Sequence, residues 1–220
     1  MDTTYDQEVA ALSDSLVEMT NLVGSAMSRA TTALLDADLQ LAESVITADE
    51  TVDLLYREVE ERALMLLTTR GTRNGQAGAD ADLRVIITSL RMVTDLERMG
   101  DLALHVAKVT RRRYPASAVP PELRGTLLEM GQVAQRIVAK AGSVIAGKDL
   151  TMAAELERDD DVMDRLHRRL FTMLLAPDWA HGMEAAIDIT LCGRYYERFA
   201  DHAVSVARRV VYLVTGEHVT

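Results

Sequence analysis

The sequence predicts an all-α protein made of two tandem repeats of an antiparallel three-helix bundle. Apolar residues recur every three to four positions through six long segments, the period of amphipathic helices. Breaks are few, with 12 glycines and 4 prolines in 220 residues, and three of the prolines fall between Tyr114 and Pro121. The second half also repeats the first in register, the mark of a duplicated structural unit.

The first segment covers about residues 5–35, with Leu12, Leu16, Met19, Val23, Met27, Ala30 and Leu34 on one face. Asp36-Ala37-Asp38 breaks it, and Asp38 is placed to cap the next helix, which runs over about 39–69. Glycines and lost periodicity make 70–78 a loop. A third helix spans about 80–113. The proline-rich stretch 114–121 separates the halves, with Pro121 suited to a first helical turn. The fourth helix, about 122–146, buries Leu123, Leu127, Met130, Ala134, Ile137, Ala141 and Val144. Gly147-Lys148-Asp149 is a tight connection to the fifth, about 150–175. Pro177-Asp178 punctuates the chain before the sixth, about 179–214, which stops at Gly216. The repeats divide the chain into residues 1–114, a linker at 115–120, and residues 121–220.

At an offset of 111 (123 minus 12), Leu12 matches Leu123, Leu16 matches Leu127, Glu18 matches Glu129, Asp38 matches Asp149, Asp49 matches Asp160 and Asp53 matches Asp164. After the glycine-rich loop the offset becomes 100 (197 minus 97). Glu97-Arg98 then meets Glu197-Arg198, and Asp101 meets Asp201. Helices of about 25 to 35 residues form rods of roughly 40–50 Å, and short connections favour antiparallel neighbours.

A chain that is 48% hydrophobic and 4% aromatic, with 11 methionines, suits an interior of Leu, Ala, Met and Val. The formal net charge of -10 argues against nucleic-acid binding driven by bulk charge. Two basic clusters, Arg111-Arg112-Arg113 and Arg208-Arg209, close helical segments. There they complement the helix dipole or form a docking patch. The single Cys192, among apolar residues, excludes an internal disulfide and a cysteine-rich metal site. The acidic start, Met1 to Asp6, is no signal peptide, and no run of about 18 apolar residues offers a membrane span. These features predict a soluble, cytoplasmic protein without membrane insertion.

The acids carry the functional signal. Glu97 and Asp101 share a helix face, as do Glu197 and Asp201, Asp49 and Asp53, and Asp160 and Asp164. Stepping by seven gives Leu83, Leu90, Glu97 and Leu104, which puts Glu97 in a row of leucines expected to face a partner helix. Exposed like charges at this spacing cost a few tenths of a kcal/mol, whereas a buried unpaired carboxylate costs several kcal/mol. In an antiparallel bundle, Asp49, Asp53, Glu97 and Asp101 meet at one level, and Asp160, Asp164, Glu197 and Asp201 at another. Two readings stand. The sets are metal sites whose oxygen ligands suit Mg²⁺, Mn²⁺, Ca²⁺ or iron better than zinc, or they are neutralised by Arg57, Arg98, Arg168, Arg194 and Arg198. The repeats share no histidine ligand, which argues against ferritin-like redox chemistry. Asp164-x-x-His167 occurs in one half only, facing Tyr56 in the other, and His202 matches Leu102, so both histidines read as outer-shell or surface groups. His105, His181 and His218 show no partner in the sequence. No phosphate loop, Ser/His/Asp arrangement or Cys/His pair is present, so nothing indicates an enzyme.

At these residues the chain resembles the PhoU family. The likeness rests on the duplicated three-helix pattern, the paired Asp-x-x-x-Asp segments and Glu-Arg-x-Gly/Ala-Asp in each half. It extends through Arg194 to Ala203 and Val211 to Gly216. The resemblance implies two similar bundles with multinuclear metal clusters on the eight acids, the candidate ions being iron, manganese, magnesium or zinc. It also implies a cytoplasmic, often homodimeric adaptor that links the ATPase subunit of a phosphate ABC transporter to a phosphate-sensing histidine kinase. Such an adaptor holds the phosphate-starvation response off when phosphate is plentiful. Two alternatives remain: a structural adaptor whose acids serve salt bridges or docking, and a carboxylate-bridged metalloenzyme. His202 has the family-like Asp-His pair while Leu102 lacks it, and Tyr195-Tyr196 replace the more usual aliphatic residues.

Overall fold

The computed structural model describes residues 3–71 and 79–217. The expected loop at 70–78 and His218 lie wholly or largely outside them. Six helices follow in order: α1 Thr3–Asp36, α2 Leu39–Gly71, α3 Ala79–Arg113, α4 Arg124–Gly147, α5 Leu150–Leu174 and α6 Gly182–Thr215, with a 3-10 turn at Pro121–Leu123 leading into α4. No strand occurs among the described residues.

Each half joins its first two helices with the same device. Ala37 and Lys148, equivalent in the repeat, take left-handed conformations at φ 53° and 51° that end α1 and α4. The next residue in each case is an aspartate that caps the following helix. Asp38 Oδ1 accepts from the Leu41 amide at 2.9 Å, and Asp149 Oδ1 accepts from Thr151 and Met152 at 2.9 and 3.1 Å. Two boundaries differ from the expected ones. The double proline starts a 3-10 turn before α4 becomes regular. Trp179 belongs to a turn outside α6, where its Nε1 donates to the Gly182 carbonyl at 3.0 Å.

The apolar stripes of α1 and α4 are buried throughout and belong to one core continuous across both halves. Within each half all three helices pack on one another. Between halves α1 lies against α4, and α3 against α6. The α1–α4 crossing is close. A Cβ at Gly131 would sit 2.5 Å from Thr31 Cγ2, and one at Gly142 would sit 2.6 Å from Thr20 Oγ1. These contacts join residues 31 to 131 and 20 to 142, so the helices run antiparallel. Thr31 Oγ1 donates to the Met27 carbonyl at 2.8 Å, so the buried Tyr196 hydroxyl, 2.8 Å away on α6, donates to it. Arg124 on α4 reaches back to the end of α1, donating to the Leu35 carbonyl and to Asp36 Oδ1.

Charge ties hold α3 to α6 at two places. Asp188, 1% exposed, pairs with Arg112 and Arg113, and Arg113 also reaches Glu184 at 2.7 Å. Asp95 accepts from Arg209 Nε at 2.7 Å and meets His202 Nδ1 at 3.1 Å. The basic clusters are therefore neither simple dipole caps nor a free docking patch. Arg111 pairs with Glu43 and Arg208 with Glu157, because the arginine stems span neighbouring helices. His181 likewise has a partner that its sequence neighbourhood hides, Glu122. No described helix is long and apolar enough to cross a membrane.

Candidate functional site

The eight acids fall into two fours whose members lie near enough for their charges to act on one another. Asp49 and Asp53 project from α2 toward Glu97 and Asp101 on α3. The proximity registers electrostatically. Burial raises the Glu97 pKa first, then the Asp101 charge, with Arg98 opposing and Asp53 and Asp49 adding. Burial also raises Asp49, followed by Asp53 and Asp101, against Lys108 and His105. Gly100 permits the approach of the two helices, since a Cβ there would lie 3.2 Å from Val52 Cγ1 and 3.5 Å from Asp49 Oδ1.

The second set repeats this on α5 and α6. Asp160 is half-buried, and its pKa is pushed up to about 6 by burial, then by Asp201, Asp164, Asp161 and Glu197. Glu197 is raised by burial and Asp201, with Arg194 opposing and Asp164 adding. Asp164 and Asp201 are exposed, while the other six acids are partly shielded.

Glu97 does not sit in the middle of the core. Of its row of leucines, Leu83 is 38% exposed and Leu90 is only partly buried. The core stripe of α3 runs instead through Met92, Leu96, Met99, Ala103 and Val106. The row therefore marks the edge of the apolar face, so Glu97 is half-desolvated and not sealed away from water.

Arginine accounts for only part of the charge. Arg98 contacts Asp101 at 3.0 Å and Glu97 at 3.5 Å, and Arg194 contacts both oxygens of Glu197. Arg57, Arg168 and Arg198 are exposed and form no ion pair with the described residues. Each four-carboxylate set thus has one directly paired guanidinium. In the second set Asp160 Oδ1 and His167 Nε2 are shielded from water and have no hydrogen-bond partner. Burial, then Arg194, lowers the His167 pKa and favours the neutral ring, while Asp164 and Asp201 oppose this.

The donor sets are carboxylate-rich and under-neutralised, and the second is furnished with two orphaned polar atoms, the chemistry a cation would answer. Among the described residues no three His, Cys, Asp or Glu side chains converge tightly enough to hold one ion as they stand. Binding would require these side chains to turn toward a common point. Cys192 is wholly buried, its thiol pushed up to about 12 by burial, and serves the core. The sequence did not reveal Asp95 and Asp188 as charge anchors. Their only visible sign was acid placed near the apolar faces of α3 and α6.

A duplicated three-helix unit with four carboxylates across the second and third helices of each copy defines a class of acid-lined helical repeat proteins. The PhoU domain matches residues 16–110 and again 127–210, and the chain belongs to the PhoU family. It is 49% identical over 216 residues to the phosphate-specific transport system accessory protein PhoU homolog 2 of Mycobacterium tuberculosis, covering 98% of this chain and 99% of that one. It is 48% identical to PhoU homolog 1 of Mycobacterium leprae, covering 98% of this chain and 95% of the relative. The crystal structure of PhoU from Pseudomonas aeruginosa superposes with a TM-score of 0.83 at 29% identity, covering 97% of this chain and all of the other. PhoU from Streptococcus pneumoniae, 24% identical with a TM-score of 0.85 over 98% of this chain and 99% of the other, shares the fold.

Proposed function

We propose that the chain is a non-enzymatic accessory regulator of phosphate transport, a cytoplasmic, metal-binding and homodimeric adaptor. It couples the ATPase subunit of a phosphate ABC transporter to a sensor histidine kinase and keeps the phosphate-starvation response off when phosphate is plentiful. Likeness to PhoU accessory proteins along nearly the whole chain supports the phosphate-transport part. The observation that carries the metal part is the assembly of two under-neutralised carboxylate sets by the same pair of helices in each half.

Asp49, Asp53, Glu97 and Asp101 would hold one ion or cluster, and Asp160, Asp164, Glu197 and Asp201 the other. Bound cations supply positive charge that offsets carboxylate repulsion. The chain's own part is mechanical. Gly100 lets α2 approach α3, the caps at Asp38 and Asp149 fix where α2 and α5 begin, and the α3–α6 charge ties hold the halves in one relation.

A second reading, a structural adaptor without metal, draws support from the Arg98 and Arg194 pairs. One experiment separates the two. The gene is deleted and a phosphate-starvation promoter is followed in phosphate-rich medium, with wild type and an Asp49→Asn/Glu97→Gln/Asp160→Asn/Glu197→Gln variant as complements. Mycobacterium tuberculosis carries two such relatives, so any second copy is deleted as well. Promoter activation that only wild type reverses supports the metal-dependent regulator. Reversal by both proteins favours the structural adaptor, and a silent promoter in the deletion strain rejects the regulator.

A further inference from the structure

We infer that the groove between α1 and α4 beside Arg29 binds a phosphoryl oxyanion, either free phosphate or the phosphate group of a monoester. The inference is independent of the metal reading of the acid sets.

The repeat exposes a missing counter-ion. Lys140 on α4 is the counterpart of Arg29 on α1, at the offset of 111 (140 minus 29). Lys140 pairs with Glu155 at 3.3 Å and with Asp159 at 2.9 Å, both on α5. The counterparts of those two acids on α2 are Ser44 and Ala48. The first half thus keeps the cation and lacks both of its acids. Arg29 is partly buried. Its Nη2 donates to Ser44 Oγ at 2.6 Å, and the Ser44 hydroxyl donates onward to the Leu41 carbonyl at 2.6 Å. Among the described residues Arg29 forms no ion pair, and its other N–H groups meet no acceptor. A guanidinium withdrawn from water without a counter-ion is destabilising, and a bound anion would offset that cost.

Arg29 borders a groove of about 320 Å³ whose lining also includes Asn21, Ser25 and Ser28 of α1 and Gln135 of α4, and no carboxylate. Gly24 lets α4 close against this stretch of α1, since a Cβ there would lie 2.9 Å from Val138 Cγ1. Helical serines often return their hydroxyl to the preceding turn, as Ser143 and Ser205 do. The hydroxyls of Ser25 and Ser28 make no hydrogen bond among the described residues, nor do the side-chain amides of Asn21 and Gln135. Thr20 also borders the groove, but its hydroxyl donates to the Val17 carbonyl at 2.7 Å. The groove therefore offers a guanidinium together with unused hydroxyls and amides. A guanidinium fork matches the oxygens of a phosphoryl group, and the neutral donors around it suit an anion with several acceptor oxygens. Arg29 also borders a smaller cavity of about 80 Å³ toward α2 and α3, which Asp49 lines. The anion belongs in the larger groove, where no carboxylate repels it.

The test uses full-length, metal-stripped protein, so that no cation at the acid sets can recruit the anion. Inorganic phosphate and glycerol phosphate, a monoester, are titrated separately and followed by phosphorus NMR line broadening. Wild type should bind. Arg29→Gln should weaken binding at least about tenfold, the loss expected for a charge-assisted hydrogen bond. Ser44→Glu, which installs the second half's counter-ion, should weaken it as much, and Lys140→Gln should leave it unchanged. If Arg29→Gln misfolds by circular dichroism, Ser44→Glu carries the test, since it removes nothing from the core. Binding of inorganic phosphate supports free phosphate as the ligand, and binding of the monoester alone supports the phosphate group of a larger molecule. Neither anion bound up to about 10 mM, wild-type binding in both Arg29→Gln and Ser44→Glu, or equal weakening by Lys140→Gln overturns the inference.

Discussion

Thr31 on α1 occupies the space that Gly131 leaves open on α4. The repeat inverts this pairing. Thr20 corresponds to Gly131 and Thr31 to Gly142, yet Thr20 is the residue packed on Gly142. In both contacts the threonine belongs to α1 and the glycine to α4, so the halves fit as complements. Gly131→Ala places a methyl 2.5 Å from Thr31 Cγ2 and should cost about 1–3 kcal/mol by overpacking. Urea denaturation measures the cost, and Thr31→Ala in the same chain should recover part of it. An additive double mutant would show that the two residues do not compete for this space.

The Tyr196 hydroxyl joins the halves through one bond. Tyr196→Phe removes its donation to Thr31, while Thr31 keeps its own bond to the Met27 carbonyl. A loss of about 0.5–1.5 kcal/mol is expected, because the remaining hydroxyl stays partly satisfied. Burial pushes the Tyr196 pKa up, so its near-ultraviolet absorbance should not titrate before the protein unfolds in alkali.

Asp188→Ala should destabilise the protein by about 2 kcal/mol. Breaking a wholly buried pair costs more, but the Arg112 side chain is 56% exposed and can turn to water. Raised salt should weaken this tie less than the exposed Arg208–Glu157 pair. Denaturant midpoints at low and high salt for the two variants supply the comparison.

Asp160 sets a pH dependence of definite sign. Its folded-state pKa of about 6 lies above the ordinary 3.8, so its ionised form opposes folding. Above about pH 6 the metal-free native state bears that cost in full. As pH falls from 6 toward 3.8 the native carboxyl takes up a proton before the unfolded one does, and stability rises through that window. Glu97, Glu197 and Asp49, also raised, act in the same direction. Asp160→Asn should stabilise the metal-free protein near neutral pH by no more than about 1–2 kcal/mol, since partial exposure screens the charge, and should flatten the slope. Urea midpoints across this range check both effects, and a steeper slope in the variant would falsify the assignment.

Much of this was legible in the sequence because the decisive signals are periodic or duplicated. The stripes from Leu12 to Leu34 and from Leu123 to Val144 repeat at helical spacing and are buried as expected. Asp38 was readable as a cap from its place before an apolar run. The eight acids stood out because the same two-helix pattern occurs twice. The depth of Glu97 was not. A seven-residue row drifts by about 20° per heptad on a straight helix, so the row of leucines could lie at the centre or the edge of the apolar face, and packing put it at the edge. The arginine clusters looked like caps because Asp188 is some 75 residues from its partners.

The stacking of His105 on Tyr195 brings one acid set beside the other. His105 lies one turn beyond Asp101, and Tyr195 lies two residues before Glu197, on helices that share the contact between halves. The two sets therefore flank a common spine. If cations fill the sets as proposed, whatever filling one does to the affinity of the other, filling the other does to it by the same factor. On the metal-binding proposal, a titration with cations would therefore follow the pair of sets and not either one by itself.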